Sequence, residues 1–445
     1  MGEYNKKQPT INLGTIGQVA EGKSSLVEAI SNTDTRRYAK ERETNKTVKL
    51  GYTNAMIYKC AHCPSPQCYQ SGPSTDNEFK CNICDRVAEL KRHVSFVDSP
   101  GHNKLMSTLL NGVNVMHSAF MVVSADNKLL GDIDKKSGAI ANLPVAPQTA
   151  EHMIAAEIMD LDICVCFNKM DLVPKKESMK RLNKLKDFMK NTKYENAQTI
   201  PISANFGANI DVVCQYIVEC IPEPVQDCEA DAEMVVIRSF NINGQHIPVD
   251  EIQGGVVGGS LIKGKLRLDD EVTVVPGFVV KNSTGDTSYI YQPIKTRVVS
   301  MGTGTTLLEE AVPGGLISTK LTIDPNFTSQ DKLIGNIILV GDISRYKVFE
   351  TFTIKYYVIH DLAKVSAETS TEIHVNDLLI INCNAKNITC KVLSLKKKTM
   401  ELQAMTEPIC VKMNGKITLS KQTVSEGPRL IGYGNVKSGT ESKMM

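Results

Sequence analysis

The chain has 445 residues, with 51 Lys and Arg against 49 Asp and Glu. That length accommodates about three domains, since single hydrophobic cores seldom exceed roughly 250 residues, and the even charge excludes a global electrostatic footprint for nucleic acid, so any such face must come from local charge placement. No apolar run approaches the roughly 20 residues that span a bilayer, and Met1-Gly2-Glu3-Tyr4-Asn5-Lys6 matches neither a signal peptide nor a myristoylation signal, so a cytoplasmic protein with no membrane partner is expected.

Up to about residue 225, apolar runs alternate with helical patterns, which is the signature of βαβ units and a mostly parallel sheet with helices on both faces. The strands expected are Ile11–Leu13, Val94–Val97, Ala119–Val123, Cys164–Phe167 and Thr199–Ile202, and helical periodicity runs through Leu105–Met116, Ala150–Met159, Met179–Met189 and Ile210–Ile221. Directly after the first strand, Gly17-Gln18-Val19-Ala20-Glu21-Gly22-Lys23-Ser24 fits the phosphate-loop pattern G-x-x-x-x-G-K-[ST] at every fixed position, with Ser25 opening a helix. A glycine turn between strand and helix aims the N–H groups of Val19, Ala20, Glu21 and Gly22 at a polyphosphate, and the helix N-terminus adds partial positive charge. Lys23 then reaches the β- and γ-phosphates while the Ser24 hydroxyl sits on magnesium.

Further along, 13 cysteines include five between Cys60 and Cys84. Cys60-x-x-Cys63 and Cys81-x-x-Cys84 form two knuckles whose four thiolates can converge on one zinc at about 2.3 Å each, and full thiolate ligation makes such a site structural. Cys68 lies between them and is an alternative ligand to Cys60; His62 is a weaker candidate, and reduced cysteines without metal are the bland reading. After the strand Val94–Val97, Asp98-Ser99-Pro100-Gly101 offers a carboxylate to hold magnesium through water and the Gly101 N–H for the γ-phosphate. Asn168-Lys169-Met170-Asp171 follows the strand Cys164–Phe167, where Asp171 can accept both guanine N1–H and N2–H₂ while the Lys169 stem covers the purine. Ser203-Ala204 follows the next strand, where a backbone N–H can meet guanine O6. Taken singly, Asp98 is a strand-end turn and Asp171 a helix cap; three such motifs at successive strand ends are far more specific.

Pro222-Glu223-Pro224 closes this region. From about Val235 short β-branched runs punctuated by Gly and Pro, such as Val235–Phe240, Val272–Gly277 and Ile337–Gly341, read as a β-barrel, and the same texture continues from about Tyr346 to Tyr433. The expected division is a nucleotide-binding α/β domain at 1–227 with the cysteine insertion at about 58–87, a first β-barrel at 228–345 and a second at 346–445. Lys396-Lys397-Lys398 reads first as a solvated loop, and His152, beside Glu151 on a helix, as structural.

These motifs resemble those of the translational GTPases. The runs Asn12–Gly17, Lys49-Leu50-Gly51-Tyr52, Arg92–Asp98, Gln148-Thr149-Ala150-Glu151-His152, Ile237–Phe240, Gly254–Ser260 and Arg429–Gly434 are similar, across nearly the whole chain, to the gamma-subunit family of eukaryotic translation initiation factor two. The resemblance implies a P-loop GTPase domain followed by two β-barrels, binding of GTP and GDP with magnesium, a structural zinc, and delivery of initiator methionyl-tRNA to the small ribosomal subunit. It implies alpha and beta subunits as partners, with GTPase-activating and nucleotide-exchange factors. On it, Thr47 matches the first-switch threonine that senses magnesium and the γ-phosphate, His102 the histidine that orients the attacking water, and Tyr52 an initiator-tRNA contact. No arginine of the chain is placed at the γ-phosphate, so hydrolysis is expected to be slow without an activating factor.

The chain departs from the family in its phosphate loop, which usually carries histidines where Gln18 and Glu21 stand. A carboxylate beside a triphosphate is repelled, so Glu21 is expected to point outward. Lys128–Pro144 is expected to be a surface insertion. Beside the GTP-switched initiation factor, an elongation-type aminoacyl-tRNA carrier, a nucleotide-independent scaffold and a P-loop kinase or ATPase remain open, the last opposed by Asn168–Asp171.

Overall fold

The computed structural model describes residues 7–35, 47, 50–73, 78–102, 105–126, 147–190, 192–244, 246–281, 289–359, 372–423 and 427–445. The segment expected as an insertion at 128–144 therefore lies outside the described residues. Contacts divide the chain into two units, the first comprising residues 1–224 and the second most of 225–445.

In the first unit a seven-stranded sheet has β1 (Ile11–Ile16) at its centre, and the described helices are α1 (Lys23–Ser31), α2 (Met106–Val113), α3 (Pro147–Ile158), α4 (Lys175–Met189) and α5 (Ile210–Glu219). The remaining strands are β2 (Gly51–Lys59), β3 (Tyr69–Pro73), β4 (Glu89–Asp98), β5 (Ser118–Ser124), β6 (Asp162–Asn168) and β7 (Thr199–Pro201), in the spatial order β3-β2-β4-β1-β5-β6-β7. All pairings from β4 to β7 are parallel, while β2 runs antiparallel to both β3 and β4. The expected mostly parallel sheet thus gains an antiparallel edge that the sequence reading did not contain.

Burial explains the runs. β1, β5 and nearly all of β6 are buried residue for residue, as strands covered on both faces must be. Alternation across the pleat assigns the faces. Ile11, Leu13, Val94 and Phe96 share a core with Leu26, Ile30, Val213 and Ile217 of α1 and α5. On the other face Gly14 meets Met116, and Val97 approaches Gly112 of α2. Because β4 and β5 flank β1 on opposite sides, the chain direction of winding reverses there; at such a switch point the C-terminal ends of the strands open a crevice.

In the second unit, the strands Glu271–Lys281, Ile337–Leu339, Glu233–Phe240, Val256–Lys263, Leu316–Leu321 and Tyr289–Thr303 follow one another in space, and the last pairs back with the first. That closure makes a six-stranded barrel and removes its edges. Thr399–Ala404, Lys386–Leu395, Leu378–Cys383, Lys416–Thr423, Gly427–Glu441 and Lys347–Val358 close likewise into a second one. The two barrels are joined by a core of Val235, Val275, Ile337, Leu339, Tyr346, Val348, Ala385 and Cys410. Beside it the fully buried Glu233 receives Lys412 at 2.5 Å, Lys263 at 3.8 Å and the Tyr346 hydroxyl. A buried carboxylate is tolerated only when it is paired in this way.

Candidate functional site

The expected nucleotide residues gather at the C-terminal ends of parallel strands, in the turns that follow them and, for Lys23, Ser24 and Ser25, in the first turn of α1. The loop 17–22 joins β1 to α1, and Gly22 caps α1 with φ +97°. A Cβ at Gly22 would stand 2.1 Å from Asn168 Nδ2, so both backbone sign and space demand glycine here. Helix α1 carries no acidic residue in its first turn, leaving its N–H groups and positive end directed at the loop; Ser24 and Ser25 lie in that turn.

Lys23 is buried, and its Nζ donates to the carbonyls of Gly17 at 2.9 Å and Gln18 at 2.8 Å. Desolvation lowers its pKa to about 8 against the opposing charge of Asp98. The Gly17 N–H is held by His152 Nδ1 at 2.9 Å, and burial brings the imidazole pKa down to about 3. His152 is therefore neutral and structural, as expected, and it fixes the loop from α3.

Asp98 ends β4 directly opposite Thr15 of β1. Its carboxylate accepts from Thr15 Oγ1 at 2.9 Å, Ser24 Oγ at 2.6 Å and Thr35 Oγ1 at 2.6 Å, and Ser24 Oγ lies 3.0 Å from Thr47 Oγ1. Two oxygens at right angles on a magnesium ion, each about 2.1 Å away, stand about 3.0 Å apart. The Ser24–Thr47 pair has that spacing, and the surrounding donors are hard oxygens, so the set fits magnesium. Sequence reasoning missed Thr15 and Thr35, which belong to no local motif and reach Asp98 through the fold. Gly101 lies against the loop: a Cβ there would meet Val19 N at 2.6 Å and Lys23 Nζ at 2.4 Å. His102 is exposed, with its carbonyl accepting the Leu105 N–H at 2.8 Å, and Tyr52 lies on β2 opposite Val97.

The base-side residues meet as expected at the ends of β6 and β7. Asn168 Nδ2 donates to the Glu21 carbonyl at 3.0 Å, and its Oδ1 accepts the Ala204 N–H at 3.0 Å, tying loop, β6 and β7 together. Of the Ser203-Ala204 backbone N–H groups, one of which is expected at guanine O6, that of Ala204 is engaged by Asn168 and that of Ser203 by the Ala208 carbonyl at 3.2 Å. Lys169 takes φ +59° and its Nζ lies 3.6 Å from Asp126. Asp171 accepts the Ser203 hydroxyl at 2.5 Å, and both line a cavity of about 390 Å³ with Met170, Pro201, Ile202 and Phe206.

Glu21 corrects the sequence reading. It does not point outward: it is 4% exposed, and its carboxylate accepts the Ser124 N–H at the end of β5. Desolvation raises its pKa to about 7, against the lowering effect of that N–H, Lys23 and Lys169. Burial, which the repulsion argument left out, changes the outcome, because a carboxyl near pKa 7 need not carry charge beside phosphate.

In the cysteine segment Cys60, Cys63, Cys81 and Cys84 gather with all four sulfurs within 4.8 Å of one another. The Cys60–Cys84 and Cys63–Cys81 separations are 3.5 and 3.6 Å, close to the ~3.8 Å edge of a tetrahedron with Zn–S near 2.3 Å. Burial opposes ionisation of Cys81, yet N–H groups of Ile83 and Cys84 hold its thiol down to about 6, while burial and neighbouring thiols push Cys63 up to about 12. Cys68 is not in the cluster. Its backbone closes the loop instead, with N–H to Pro64 O and O to Cys60 N, both at 2.9 Å. Of the two alternatives, Cys60 is the one gathered with the other three thiols, and the His62 backbone N–H donates to Cys60 Sγ at 3.4 Å.

Comparison with known proteins places this geometry. The Elongation factor Tu GTP binding domain family matches residues 8–223, and the family Initiation factor eIF2 gamma, C terminal, matches residues 350–436. The chain is 37% identical over 442 residues to eukaryotic translation initiation factor 2 subunit gamma of Encephalitozoon cuniculi, covering 98% of this chain and 95% of that one. It is 37% identical over 448 residues to the subunit of the same name from Schizosaccharomyces pombe, covering 98% and 96%. Among solved structures, a bacterial selenocysteine-specific elongation factor matches with a TM-score of 0.68 at 17% identity, covering 96% of this chain, which spans 58% of the length of that one. Elongation factor SelB of Methanococcus maripaludis in complex with the GTP analogue GppNHp matches at 0.67 and 17%, covering 98% and 80%. At that identity the structural likeness speaks for the fold alone.

Proposed function

The chain belongs to the eukaryotic translation initiation factor 2 gamma family, a family of translational GTPases, and from that premise we propose that it is the subunit that carries initiator methionyl-tRNA to the small ribosomal subunit and hydrolyses GTP on start-codon selection. The observation carrying the proposal is the convergence of Ser24, Thr47 and Asp98 at one end of the sheet with Asn168, Lys169, Asp171 and Ser203 beside them.

In this reading Lys23 leaves the Gly17 and Gln18 carbonyls for the β- and γ-phosphates, and the N–H groups of 19–25 cradle them. Ser24, Thr47 and Asp98 are the residues that would hold magnesium. Magnesium, when bound, neutralises charge that develops on the phosphates. His102 and Gly101 face the γ-phosphate, and Asp171, Lys169 and the 203–204 backbone take the guanine. Hydrolysis is slow unless an activating factor adds charge at the γ-phosphate. Cys60, Cys63, Cys81 and Cys84 hold a structural zinc, Tyr52 contacts the tRNA, and alpha and beta subunits complete a cytoplasmic factor. Among the described residues no helix is long and apolar enough to cross a membrane. We assign the domains to 1–227, 228–345 and 346–445, with the knuckle at about 58–87.

A nucleotide-independent scaffold is the second reading, favoured by the acidic Glu21 in the loop. Titration of the purified chain with GTP, GDP and ATP separates the two. The expected result is binding of GTP and GDP but not ATP, with Asp171→Asn shifting preference toward xanthosine triphosphate because an acceptor pair becomes a donor and an acceptor. Equal binding of ATP contradicts the guanine reading, and no nucleotide binding supports the scaffold.

A further inference from the structure

We propose that Glu21 is a positioning residue that couples nucleotide binding to proton uptake: its buried carboxyl clamps the phosphate loop to the end of β5, and phosphate entering the loop draws a proton onto the ionised form. The inference rests on the guanine-nucleotide reading above and concerns a residue that the phosphate-loop pattern leaves unspecified.

The clamp is visible in three contacts. The Glu21 side chain accepts the Ser124 N–H. The Glu21 carbonyl accepts Asn168 Nδ2 at 3.0 Å. Asn168 in turn holds Ala204 N. One residue thereby joins the phosphate loop to the ends of β5 and β6 and, through Asn168, to the base side of the site. The Ser124 hydroxyl continues the chain by donating to Asp126, whose other oxygen lies 3.6 Å from Lys169 Nζ.

The charged groups facing this carboxyl come from every element around it: Lys23 at the start of α1, Lys169 after β6 and Asp126 after β5. Lys23 is shared with Asp98, and His152 beside it is neutral. With only 4% of Glu21 exposed, water screens little of what the nucleotide adds. Phosphate brings several negative charges and occupies Lys23, so the anionic form of Glu21 loses its nearest compensation and gains repulsion. Proton binding and nucleotide binding then favour one another, and the coupling is reciprocal.

The sign follows from where the carboxyl titrates before nucleotide arrives, at about 7 through burial. Below that pH Glu21 already holds its proton and nucleotide binding does not depend on it. Above it each binding event must take up a proton, so affinity falls as pH rises, by at most about tenfold per unit. Lys23, brought to about 8 by burial, loses its own proton in more alkaline solution and weakens binding whatever stands at position 21. The diagnostic quantity is therefore a ratio between two proteins.

The test measures magnesium–GDP dissociation constants of the full chain and of Glu21→Gln from pH 6.5 to 8.5, with calorimetry in two buffers of different ionisation heat. Glutamine keeps an oxygen for the Ser124 N–H and cannot ionise. The expected result is that the dissociation constant of the wild type relative to that of Glu21→Gln grows at least about fivefold across the range, with proton uptake near pH 7.5 in the wild type and none attributable to position 21 in the variant. A constant ratio, or equal uptake in both proteins, overturns the proposal. If Glu21→Gln does not fold, the wild-type calorimetry decides, since absence of uptake is sufficient to overturn it. Absence of GDP binding by either protein at any pH defeats the guanine reading itself, an outcome distinct from binding without proton linkage.

Discussion

His102 stands exposed where the chain leaves Gly101 for α2, and the proposed function gives its imidazole the task of orienting the water that attacks a γ-phosphate. Positioning and charge compensation carry phosphoryl transfer in enzymes of this kind, so His102→Ala should slow GTP hydrolysis by about 100-fold or more while GDP affinity changes little. Single-turnover hydrolysis in the presence of an activating factor checks this, and an unchanged rate would remove His102 from the mechanism. At this scale most of the site was legible because its residues are bound to fixed spacings: Gly22, Lys23 and Ser24 in one loop, Asn168 and Asp171 in another. Glu21 was not, because whether a carboxylate beside phosphate turns outward or becomes neutral depends on burial, which is a property of the packed β5 and not of the loop. Thr15 and Thr35 escaped for a similar reason, as their hydroxyls reach Asp98 from 83 and 63 residues away.

Among the elements, the cysteine segment joins its four gathered thiols to the core of the first unit, in which Tyr58, Cys60, Cys68, Tyr69, Cys81 and Ala88 are buried. Cys60, Cys63, Cys81 and Cys84 lie in the connections from β2 to β3 and from β3 to β4, where the rings of Tyr58 and Phe79 stack at 4.3 Å. On the proposed reading a zinc held by the four thiolates adds its binding free energy to the folding of this segment. Metal analysis should find one zinc per chain, and Cys81→Ser with Cys84→Ser should lose it and make the stretch from Tyr58 to Val87 protease-sensitive. A metal-free protein with that stretch unaltered would favour reduced cysteines. The knuckles were readable from spacing, but the strands around them were not: β2 has no clean inward–outward alternation, and β3 is five residues long and ends in Gly-Pro. The helices were found with blurred ends, since α2 stops at Val113 and α5 at Glu219, short of where their apolar periodicity continues.

For the whole molecule, the alternation of apolar runs and helical periods announced a doubly covered sheet, and short β-branched runs announced barrels, whereas the closure of six strands into each barrel was not legible, because it depends on pairings such as Glu271 with Arg297 and Thr351 with Gln403 that lie far apart in sequence. The same holds for the Glu233 cluster, which joins the barrels through Lys412, 179 residues away. A carrier's cargo affinity can differ between nucleotide states only if the cargo interacts differently with them. Ser24 meets Asp98 and Thr47, and on the proposed reading the γ-phosphate and magnesium would act on the first switch through these residues; allosteric couplings amount to about 1–3 kcal/mol, or roughly 5- to 150-fold in affinity. The most direct measurement is a titration of the complex reconstituted with alpha and beta subunits against aminoacylated initiator tRNA and elongator tRNA, with a GTP analogue and with GDP. The account predicts that initiator tRNA binds at least about fivefold more tightly in the GTP form, with affinity falling as salt rises through counterion release; equal affinity in both nucleotide states, or a preference for elongator tRNA, would contradict it.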